Sequence, residues 1–347
     1  MKILHVIDSL NIGGAEKVYL DLVSMLLDAG HQVGCMVISA RGPLYDKIDN
    51  RAQIIFLGRK SKFNPLTMRR CTLIASRYDI VHVHMRHTWA YVKLSSVLFK
   101  KIKGLIFHDH FGDIAINNNV TFRLKGFLKP HCYIGVSKEL VDWARASLNL
   151  KEGHLHLLKN TIIPKYDCSD LYKGDWVMVS NLRETKNILF AIGLAERMKR
   201  QMVIFGNHDG SWYADKVIAA AEASDFGQIV QNEYHVQKYL GNFSLAVHAS
   251  YSETGPLVLL EYLAHGLPFI TYDCGEVVNQ IRQELPDFIA SSFNEEEWKL
   301  KIEFIELEKQ INGEKLDQRL KALFAEKFSP KAYIEQCLKI YQNVLAC

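Results

Sequence analysis

The sequence lacks the features that mark several large classes of protein. It has no C-x-x-C pair, and its seven scattered cysteines predict reduced thiols rather than a disulfide framework. It has no zinc-finger spacing, RNA-recognition signature or basic zipper, so we expect no nucleic-acid partner. No stretch approaches the roughly 18 uninterrupted apolar residues of a membrane span, and the N-terminus is typical of a β-strand rather than a signal peptide. These absences predict a cytoplasmic protein.

The length and the order of the apolar segments predict two α/β domains. A chain of 347 residues is long for one core and suits two domains of about 150 residues each. Short runs rich in Val and Ile alternate with helical patterns, as in doubly wound parallel sheets. We therefore predict two Rossmann-like domains facing across a cleft, at 1–165 and 166–328. A terminal helix at 329–347 is expected to pack back toward the first domain.

Charge is distributed unevenly between the two halves. Residues 1–165 contain 24 Lys and Arg against 12 Asp and Glu, whereas residues 166–347 contain 18 against 26. The first half is therefore basic and the second acidic, although the whole chain carries a formal charge of only +4. A basic half favours an anionic partner.

The most informative segment is S-Y-S-E-T-G-P-L-V-L-L-E-Y-L-A-H-G-L-P, at 250–268. It follows an apolar run that we interpret as a strand. It predicts a helix from about Pro256 to His265, because Pro suits the first helical position and Gly266 suits the residue just past the end.

Four residues of this segment are candidates for ligand binding. Gly255 would let a ligand approach the backbone, and the free N–H groups of Leu257 and Val258 would form an anion site. Glu261 stands in an otherwise apolar run, where a carboxylate is costly unless something hydrogen-bonds to it. A pair of ribose hydroxyls would do so, and a Glu on the solvent face of an amphipathic helix is the alternative.

Seven residues separate Glu253 from Glu261, and this E-x7-E spacing resembles the C-terminal element of the retaining family-4 glycosyltransferases. The preceding S-x-S and the following A-x-G-x-P match as well. The resemblance implies the GT-B fold, with an N-terminal acceptor-binding domain and a C-terminal nucleotide-sugar-binding domain. It also implies that Glu253 contacts the donor sugar or stabilises charge near it, and that Glu261 holds the ribose.

The resemblance continues at the first loop of the chain. N-I-G-G-A-E matches the family's Gly-Gly turn, which implies that backbone N–H groups at Gly13 and Gly14 reach the donor diphosphate and sugar. A Gly pair after a strand is an ordinary tight turn when nothing else supports a function.

Histidines mark two further motifs of the N-terminal half. In D-I-V-H-V-H, His82 and His84 lie on one face of a strand because side chains alternate with a period of two. F-H-D-H-F-G ends a strand and places His108 at the position of the family's active-site histidine, where it would hydrogen-bond the donor sugar or the reacting centre. A core histidine at a strand end is the alternative.

The C-terminal half opens with V-S-N-L-R-E-T-K-N, at 179–187. Lys186 matches the family's lysine, but Asn181 stands where the family usually has Arg. Arg183, two residues later, could supply the missing positive charge, and a solvated loop residue is the alternative. These cations and the helix N-terminus would stabilise a departing diphosphate without a metal.

The function implied by the resemblance is hexosyl transfer with retention of anomeric configuration. The donor would be a nucleotide sugar, with UDP as the expected carrier, and the acceptor a glycan or lipid-linked saccharide in lipopolysaccharide or capsule polysaccharide synthesis. We expect no cofactor and no metal, since the D-x-D motif of the other large glycosyltransferase fold is absent.

Three other functions stay open. The first is a metal-dependent hydrolase built on closely spaced histidines, namely His82, His84, His87, His108 and His110. The second is a nucleotide-sugar epimerase on the same fold, since a fold alone never fixes a function. The third is a non-catalytic protein that binds a sugar nucleotide.

Three segments of the N-terminal half interleave basic and apolar residues, at 59–63, 99–103 and 122–129. Such segments gain about 1 kcal/mol per cation near anionic lipid. They favour the hypothesis that this half docks on the inner face of the cytoplasmic membrane. Ordinary solvated helix faces are the alternative.

Overall fold

A computed structural model describes residues 1–61, 63–112, 114 and 122–346. It divides into two compact units, the first formed by Met1–Ile162 with Pro330–Cys347 and the second by Ile163–Ser329. The boundaries predicted from the sequence, at 165 and 328, lie within three residues of these positions.

The first unit is built on a parallel sheet. Its strands are β1 (Lys2–Ser9), β2 (Gln32–Ala40), β3 (Gln53–Phe56), β4 (Ile80–His84), β5 (Leu105–Asp109), β6 (Tyr133–Gly135) and β7 (Leu155–Leu157). They are hydrogen-bonded in the order β3-β2-β1-β4-β5-β6-β7. The helices described between them are α1 (Gly14–Asp28), α2 (Pro65–Ala75), α3 (Arg86–Leu98), α4 (Phe122–Lys125) and α5 (Lys138–Leu148).

The second unit repeats this architecture. Its strands are β8 (Trp176–Val179), β9 (Met202–Phe205), β10 (Gly227–Val230), β11 (Leu245–His248), β12 (Phe269–Tyr272) and β13 (Ile289–Ala290), paired in the order β10-β9-β8-β11-β12-β13. Its helices are α6 (Ile188–Met198), α7 (Trp212–Ala223), α8 (Leu257–His265), α9 (Glu276–Ile281) and α10 (Glu295–Lys327). The last of these is kinked at Asn312, whose backbone is not helical.

The C-terminal helix α11 (Pro330–Ala346) belongs to the first unit and packs on α1. Its buried side chains are Tyr333, Cys337, Ile340 and Tyr341. This spacing of three to four residues places them on one face of the helix, which forms part of the core of the first unit.

Both sheets are parallel throughout, so the prediction of two Rossmann-like α/β domains is confirmed. β4 is buried at every position, as expected for a strand covered by helices on both faces of its sheet. The strand order reverses between β1 and β4 in the first sheet, and between β8 and β11 in the second. Ligands of open α/β sheets bind outside the carboxyl ends of strands at such reversals.

Two helices begin at positions other than those the sequence predicts. The pattern predicts a helix from Lys17, but α1 already begins at Gly14, with Glu16 in its first turn. Helix α6 begins at Ile188 rather than Lys186, because Asn187 takes a left-handed backbone conformation with φ 51°. Lys186 therefore lies in the loop that precedes the helix.

None of the helices in the described ranges combines the length and the apolar character that crossing a membrane requires. The basic and apolar segments expose Phe63, Phe99 and Phe127, with exposed fractions of 67%, 39% and 54%. Lys62 lies outside the described residues, as do the side chains of Phe122 and Arg123.

Candidate functional site

A group of buried histidines lies at the strand reversal of the first sheet. The register of the parallel strands pairs His5 of β1 with His82 of β4, and His84 of β4 with His108 of β5. The rings of His82 and His84 stack with centroids 4.6 Å apart, which confirms that both side chains lie on one face of the strand. All four side chains are fully buried.

Hydrogen bonds connect His108 to the C-terminal helix. Nδ1 of His108 lies 2.9 Å from Nε2 of His82, and Nδ1 of His82 lies 2.7 Å from the hydroxyl oxygen of Tyr341. The same hydroxyl lies 3.4 Å from Nε2 of His5. Among the described residues, Nε2 of His108 has no hydrogen-bond partner although it is buried.

The connection continues beyond His5. Nδ1 of His5 lies 3.0 Å from Nε2 of His84, and Nδ1 of His84 lies 3.0 Å from Nε2 of His110. The five histidines and Tyr341 therefore form one continuous series of hydrogen bonds from His108 to His110. We call this series the histidine chain.

The imidazoles of the histidine chain are neutral. Burial lowers the pKa of His5 and of His110 to about 3. Burial, with the neighbouring histidines as a further cause, lowers the pKa of His82, His84 and His108 well below the usual value. Near pH 7 each ring therefore carries one N–H donor and one bare nitrogen acceptor.

Within the histidine chain, two sets of three histidines could hold a metal ion. His5, His82 and His84 form one set, and His84, His108 and His110 the other, with ligand nitrogens within 4.8 Å of one another. His87 lies in α3, outside both sets. Each set contains one hydrogen-bonded pair, His5 with His84 and His84 with His110, both at 3.0 Å.

The Gly pair predicted to approach a diphosphate lies at the start of α1, just beyond the carboxyl end of β1. Gly13 is the N-cap residue of the helix and Gly14 its first residue. The carboxylate of Glu16 occupies the space that a Cβ on Gly13 would need. The position therefore has no room for a side chain unless Glu16 moves.

In the second unit, charged side chains meet at the carboxyl ends of β8 and β11, where the strand order reverses. The ammonium of Lys186 forms an ion pair with Oε1 of Glu253. Nε2 of the buried His248 lies 3.5 Å from the same oxygen, and Nδ1 of His248 lies 2.9 Å from the hydroxyl of Thr271. Lys186 and Glu253 are thus brought together as part of one polar cluster.

The environment keeps Glu253 ionised. Burial by itself raises the pKa of this carboxyl, but the charge of Lys186 and a hydrogen bond from His248 outweigh burial and lower the pKa to about 2. The side chain of Glu253 is 15% exposed and that of Lys186 23% exposed, so both are screened from most of the solvent but are not sealed from it.

Tyr251 fixes the loop that carries Lys186 against the loop that carries Glu253. Its backbone N–H donates to the carbonyl of Thr185 at 2.8 Å, and its hydroxyl donates to Oδ1 of Asn187 at 2.8 Å. These bonds hold both neighbours of Lys186. Its ammonium is therefore positioned by the backbone as well as by its ion pair.

Helix α8 follows Glu253 and runs from Leu257 to His265, so it ends where the sequence predicts and begins one residue later, because Pro256 has an extended backbone and is the N-cap residue. It ends at Gly266, whose φ of 68° is left-handed. Leu257 and Val258 occupy its first turn, so their N–H groups point out of the helix N-terminus.

Glu261 lies on α8 and is fully buried, so the alternative of a solvent-facing Glu is wrong. Nε2 of Gln237 donates to its Oε1 at 3.5 Å, which is a long hydrogen bond.

Arg183 lies away from the ion pair of Lys186. Its side chain is 60% exposed, and its Nε lies 3.8 Å from a carboxylate oxygen of Asp209. The structure thus brings Lys186, but not Arg183, into contact with Glu253.

Several residues of these clusters are not identified by the sequence analysis. His248 closes an apolar strand five residues before Glu253, a position that its polarity alone could have flagged. Gly275, with φ 87°, packs against the Glu253 loop, since a Cβ there would lie 3.1 Å from the Cβ of Glu253. His5 and Tyr341 have no sequence motif that connects them to His108.

Two domain families match the sequence. The family described as Glycosyltransferase Family 4 matches residues 12–165, and the family described as Glycosyl transferases group 1 matches residues 172–322. These matches cover most of both units. No curated protein matches the chain.

Solved structures of glycosyltransferases are similar over the whole chain. One from Rickettsia africae has a TM-score of 0.77 and 17% identity. The match covers 99% of this chain and 98% of the Rickettsia chain. Anabaena Alr3699/HepE in complex with UDP and glucose has a TM-score of 0.78 and 14% identity, covering 98% of each. The lipopolysaccharide outer core galactosyltransferase WaaB has a TM-score of 0.63 and 15% identity, covering 98% of this chain and 99% of its own.

The two parallel-sheet units have the architecture of the GT-B glycosyltransferases. Together the two domain matches cover most of the chain and identify it as a glycosyltransferase, with a family-4 domain in its N-terminal half and a group 1 domain in its C-terminal half.

Proposed function

We propose that the protein is a retaining hexosyltransferase. It transfers a hexose or hexosamine from a UDP-sugar to a glycan or lipid-linked saccharide, in the synthesis of lipopolysaccharide or capsule polysaccharide. The observation that carries the proposal is the ion pair of Lys186 and Glu253 beside the N-terminus of α8. Similar structures in complex with UDP-glucose, or named as a lipopolysaccharide galactosyltransferase, support the choice of donor and pathway.

Lys186 and the N-terminus of α8 bind the donor diphosphate. Negative charge grows on the leaving oxygen as the bond to the sugar breaks, and a positioned cation stabilises that charge most in the transition state. The N–H groups of Leu257 and Val258 add partial positive charge from the helix end, and Gly255 leaves space for the phosphate to approach. Arg183 adds a more exposed cation. These groups require neither a metal nor a cofactor.

The two glutamates of the E-x7-E element act on different parts of the donor. Glu253, ionised because of Lys186 and His248, stabilises the positive charge that develops at the anomeric carbon. Glu261, buried in α8, accepts hydrogen bonds from the ribose hydroxyls, which offset the cost of burying its carboxylate.

The transfer proceeds on one face of the sugar. The acceptor hydroxyl oxygen forms a bond to the anomeric carbon while the bond from that carbon to the diphosphate oxygen breaks, and the bonding pair goes to the diphosphate. The hydroxyl proton passes to the leaving phosphate oxygen, so no enzyme base is needed. Because the acceptor attacks the face that the diphosphate leaves, configuration is retained without an enzyme nucleophile. In the first unit, the N–H groups at Gly13 and Gly14 and the imidazole of His108 hydrogen-bond substrate oxygens.

Incubation with labelled UDP-sugars tests this function against its alternatives. Release of UDP that depends on Glu253 indicates transfer or its slow hydrolytic side reaction, whereas an isomerised UDP-sugar indicates an epimerase. A UDP-sugar that raises the melting temperature without being consumed indicates a binding protein. Unchanged UDP release in Glu253→Gln would show that the polar cluster of Lys186 and Glu253 takes no part in the reaction.

A further inference from the structure

The hydroxyl of Tyr341 has unequal contacts to its two histidine neighbours. It lies 2.7 Å from Nδ1 of His82 and 3.4 Å from Nε2 of His5. A phenol is a stronger donor than a neutral imidazole N–H, and a bare imidazole nitrogen is a stronger acceptor than a phenol oxygen. The short contact is therefore the one in which Tyr341 donates its proton to His82.

This direction determines the protons on the next two rings. Because Nδ1 of His82 accepts from Tyr341, the single proton of neutral His82 is on Nε2. That N–H can only donate to Nδ1 of His108, 2.9 Å away, so Nδ1 of His108 is bare. The proton of neutral His108 is then on Nε2, the buried nitrogen that has no hydrogen-bond partner among the described residues.

The other half of the histidine chain agrees with this direction. The oxygen of Tyr341 accepts the long contact from Nε2–H of His5, so Nδ1 of His5 accepts from Nε2–H of His84. Nδ1 of His84 in turn accepts from Nε2–H of His110. Every ring in the histidine chain then carries one N–H, and no contact in it places two N–H donors opposite each other.

We propose that Tyr341 is a positioning residue that holds His108 in the tautomer with its proton on Nε2, where it donates a hydrogen bond to a substrate oxygen. The proposal rests on the proposed function for the identity of that substrate, a sugar. The partner of Nε2 must be a hydrogen-bond acceptor, such as a hydroxyl or phosphate oxygen. An ammonium group in its place would leave two donors facing each other.

The tautomer can be measured without any substrate. Two-bond 1H–15N correlation spectra of protein labelled with 15N-histidine distinguish a protonated ring nitrogen from a bare one, and His108→Gln assigns the signals of His108. In the native protein we expect a protonated Nε2 and a bare Nδ1 on His108. A bare Nε2 would overturn the proposal, whatever the enzymatic activity turns out to be.

Tyr341→Phe removes the proton donor and keeps the ring in place. We expect the ratio of the two His108 tautomers to shift roughly fivefold toward a bare Nε2, the factor that corresponds to one neutral hydrogen bond. Tyr333→Phe is the matched control, because Tyr333 is also buried on α11 and its hydroxyl has no hydrogen-bond partner in the described part of the chain. It should leave the His108 signals unchanged. A His108 tautomer unaffected by Tyr341→Phe would contradict the proposal.

Two further measurements separate this proposal from others. UDP-sugar turnover by Tyr341→Phe should fall in proportion to the fraction of His108 that keeps its proton on Nε2, which the same spectra measure, while turnover by Tyr333→Phe stays at the native level. If native His108 carries its proton on Nε2 but no UDP-sugar is turned over, the proposed function fails and the positioning role of Tyr341 stands. A stoichiometric metal ion bound to His84, His108 and His110 in the purified protein would instead overturn the positioning role.

Discussion

Lys186 and Glu253 form an ion pair although 67 residues separate them in the chain. The loops that carry them follow β8 and β11, the two adjacent strands at which the order of the second sheet reverses. A cation and a carboxylate therefore meet at the carboxyl ends of these two strands, where a ligand of this fold binds. A bound diphosphate would compete with Glu253 for the ammonium of Lys186, so the pair can exchange partners when the donor enters.

Replacing Lys186 by Met should abolish most of the turnover while leaving the fold intact. The side-chain stem is kept, but the leaving diphosphate loses a positioned cation, and such a loss typically reduces kcat about 100- to 1000-fold. The measurement is UDP release at saturating UDP-sugar. Lys216→Met, on the exposed face of α7, is the control and should behave as the native protein. A variant of Lys186 that keeps native turnover would show that the diphosphate is held elsewhere.

Glu253→Gln should change how stability depends on pH. The folded pKa of about 2 lies below the unfolded value of 4.5, so the ionised carboxylate stabilises the fold above pH 4.5. That contribution, on the order of 3 kcal/mol, is lost as the pH decreases toward 2. The difference in unfolding free energy between native and Glu253→Gln protein, measured with urea, should therefore be largest at neutral pH and shrink in acid. Glu222→Gln, exposed on α7, should show no such trend; a constant difference for Glu253→Gln would contradict the depressed pKa.

Arg183→Ala tests whether the more exposed cation contributes to catalysis. We expect a loss of about tenfold in kcat, smaller than for Lys186, because an exposed charge is screened by solvent. Adding Asn181→Arg to Arg183→Ala should restore part of the lost rate by placing a cation at the family's usual position. Native kinetics in Arg183→Ala, with no effect of Asn181→Arg in that variant, would show that Arg183 serves only its contact with Asp209.

Glu261→Gln should weaken the binding of UDP through the ribose. Hydrogen bonds to a charged acceptor are stronger than neutral ones, so we expect roughly a tenfold rise in Kd, with a smaller effect on kcat. Comparing UDP with 2′-deoxy-UDP by calorimetry makes the test specific. The native protein should bind 2′-deoxy-UDP more weakly than UDP, and the variant should discriminate less between them. Equal discrimination by both proteins would mean that the ribose does not contact Glu261.

The first unit is expected to bind anionic vesicles in a salt-sensitive way. Phe63, Phe99 and Phe127 are exposed within the basic segments and could insert between headgroups. Replacing all three by Ser should reduce sedimentation with anionic vesicles, and neutral vesicles should bind neither protein. The control replaces Leu300 and Phe304 by Ser, since both are exposed on α10 in the second unit. Binding that is absent, or that is unaffected by salt, would contradict the hypothesis.

The sequence was sufficient for features that depend on neighbouring residues. The spacing of Pro256 and Gly266 predicted α8 because both residues act on the local backbone, and the period of two placed His82 and His84 on one face. The alternation of apolar runs with helical patterns was likewise enough to predict two parallel sheets.

Contacts between distant residues could not be predicted in this way. His82 and Tyr341 are separated by 259 residues. A tyrosine in an amphipathic helix has no sequence feature that identifies its hydrogen-bond partner. The ion pair of Lys186 depends on Tyr251 and on a loop that ends at a left-handed residue, Asn187, neither of which periodicity detects. Arg183 precedes Lys186 by three residues, but its side chain points to Asp209, a contact that the sequence does not reveal.

The assignment of α11 to the first unit has a consequence for how the protein is made. The core of that unit includes Tyr333 and Tyr341, which a ribosome adds only after the whole of the second unit has been synthesised. Until then, the face of α1 that α11 covers is bare, and Nδ1 of His82 lacks its phenol donor. The unit that is begun first is therefore completed last, and a chain stopped after Ser329 would leave His108 without the contact that orients its proton.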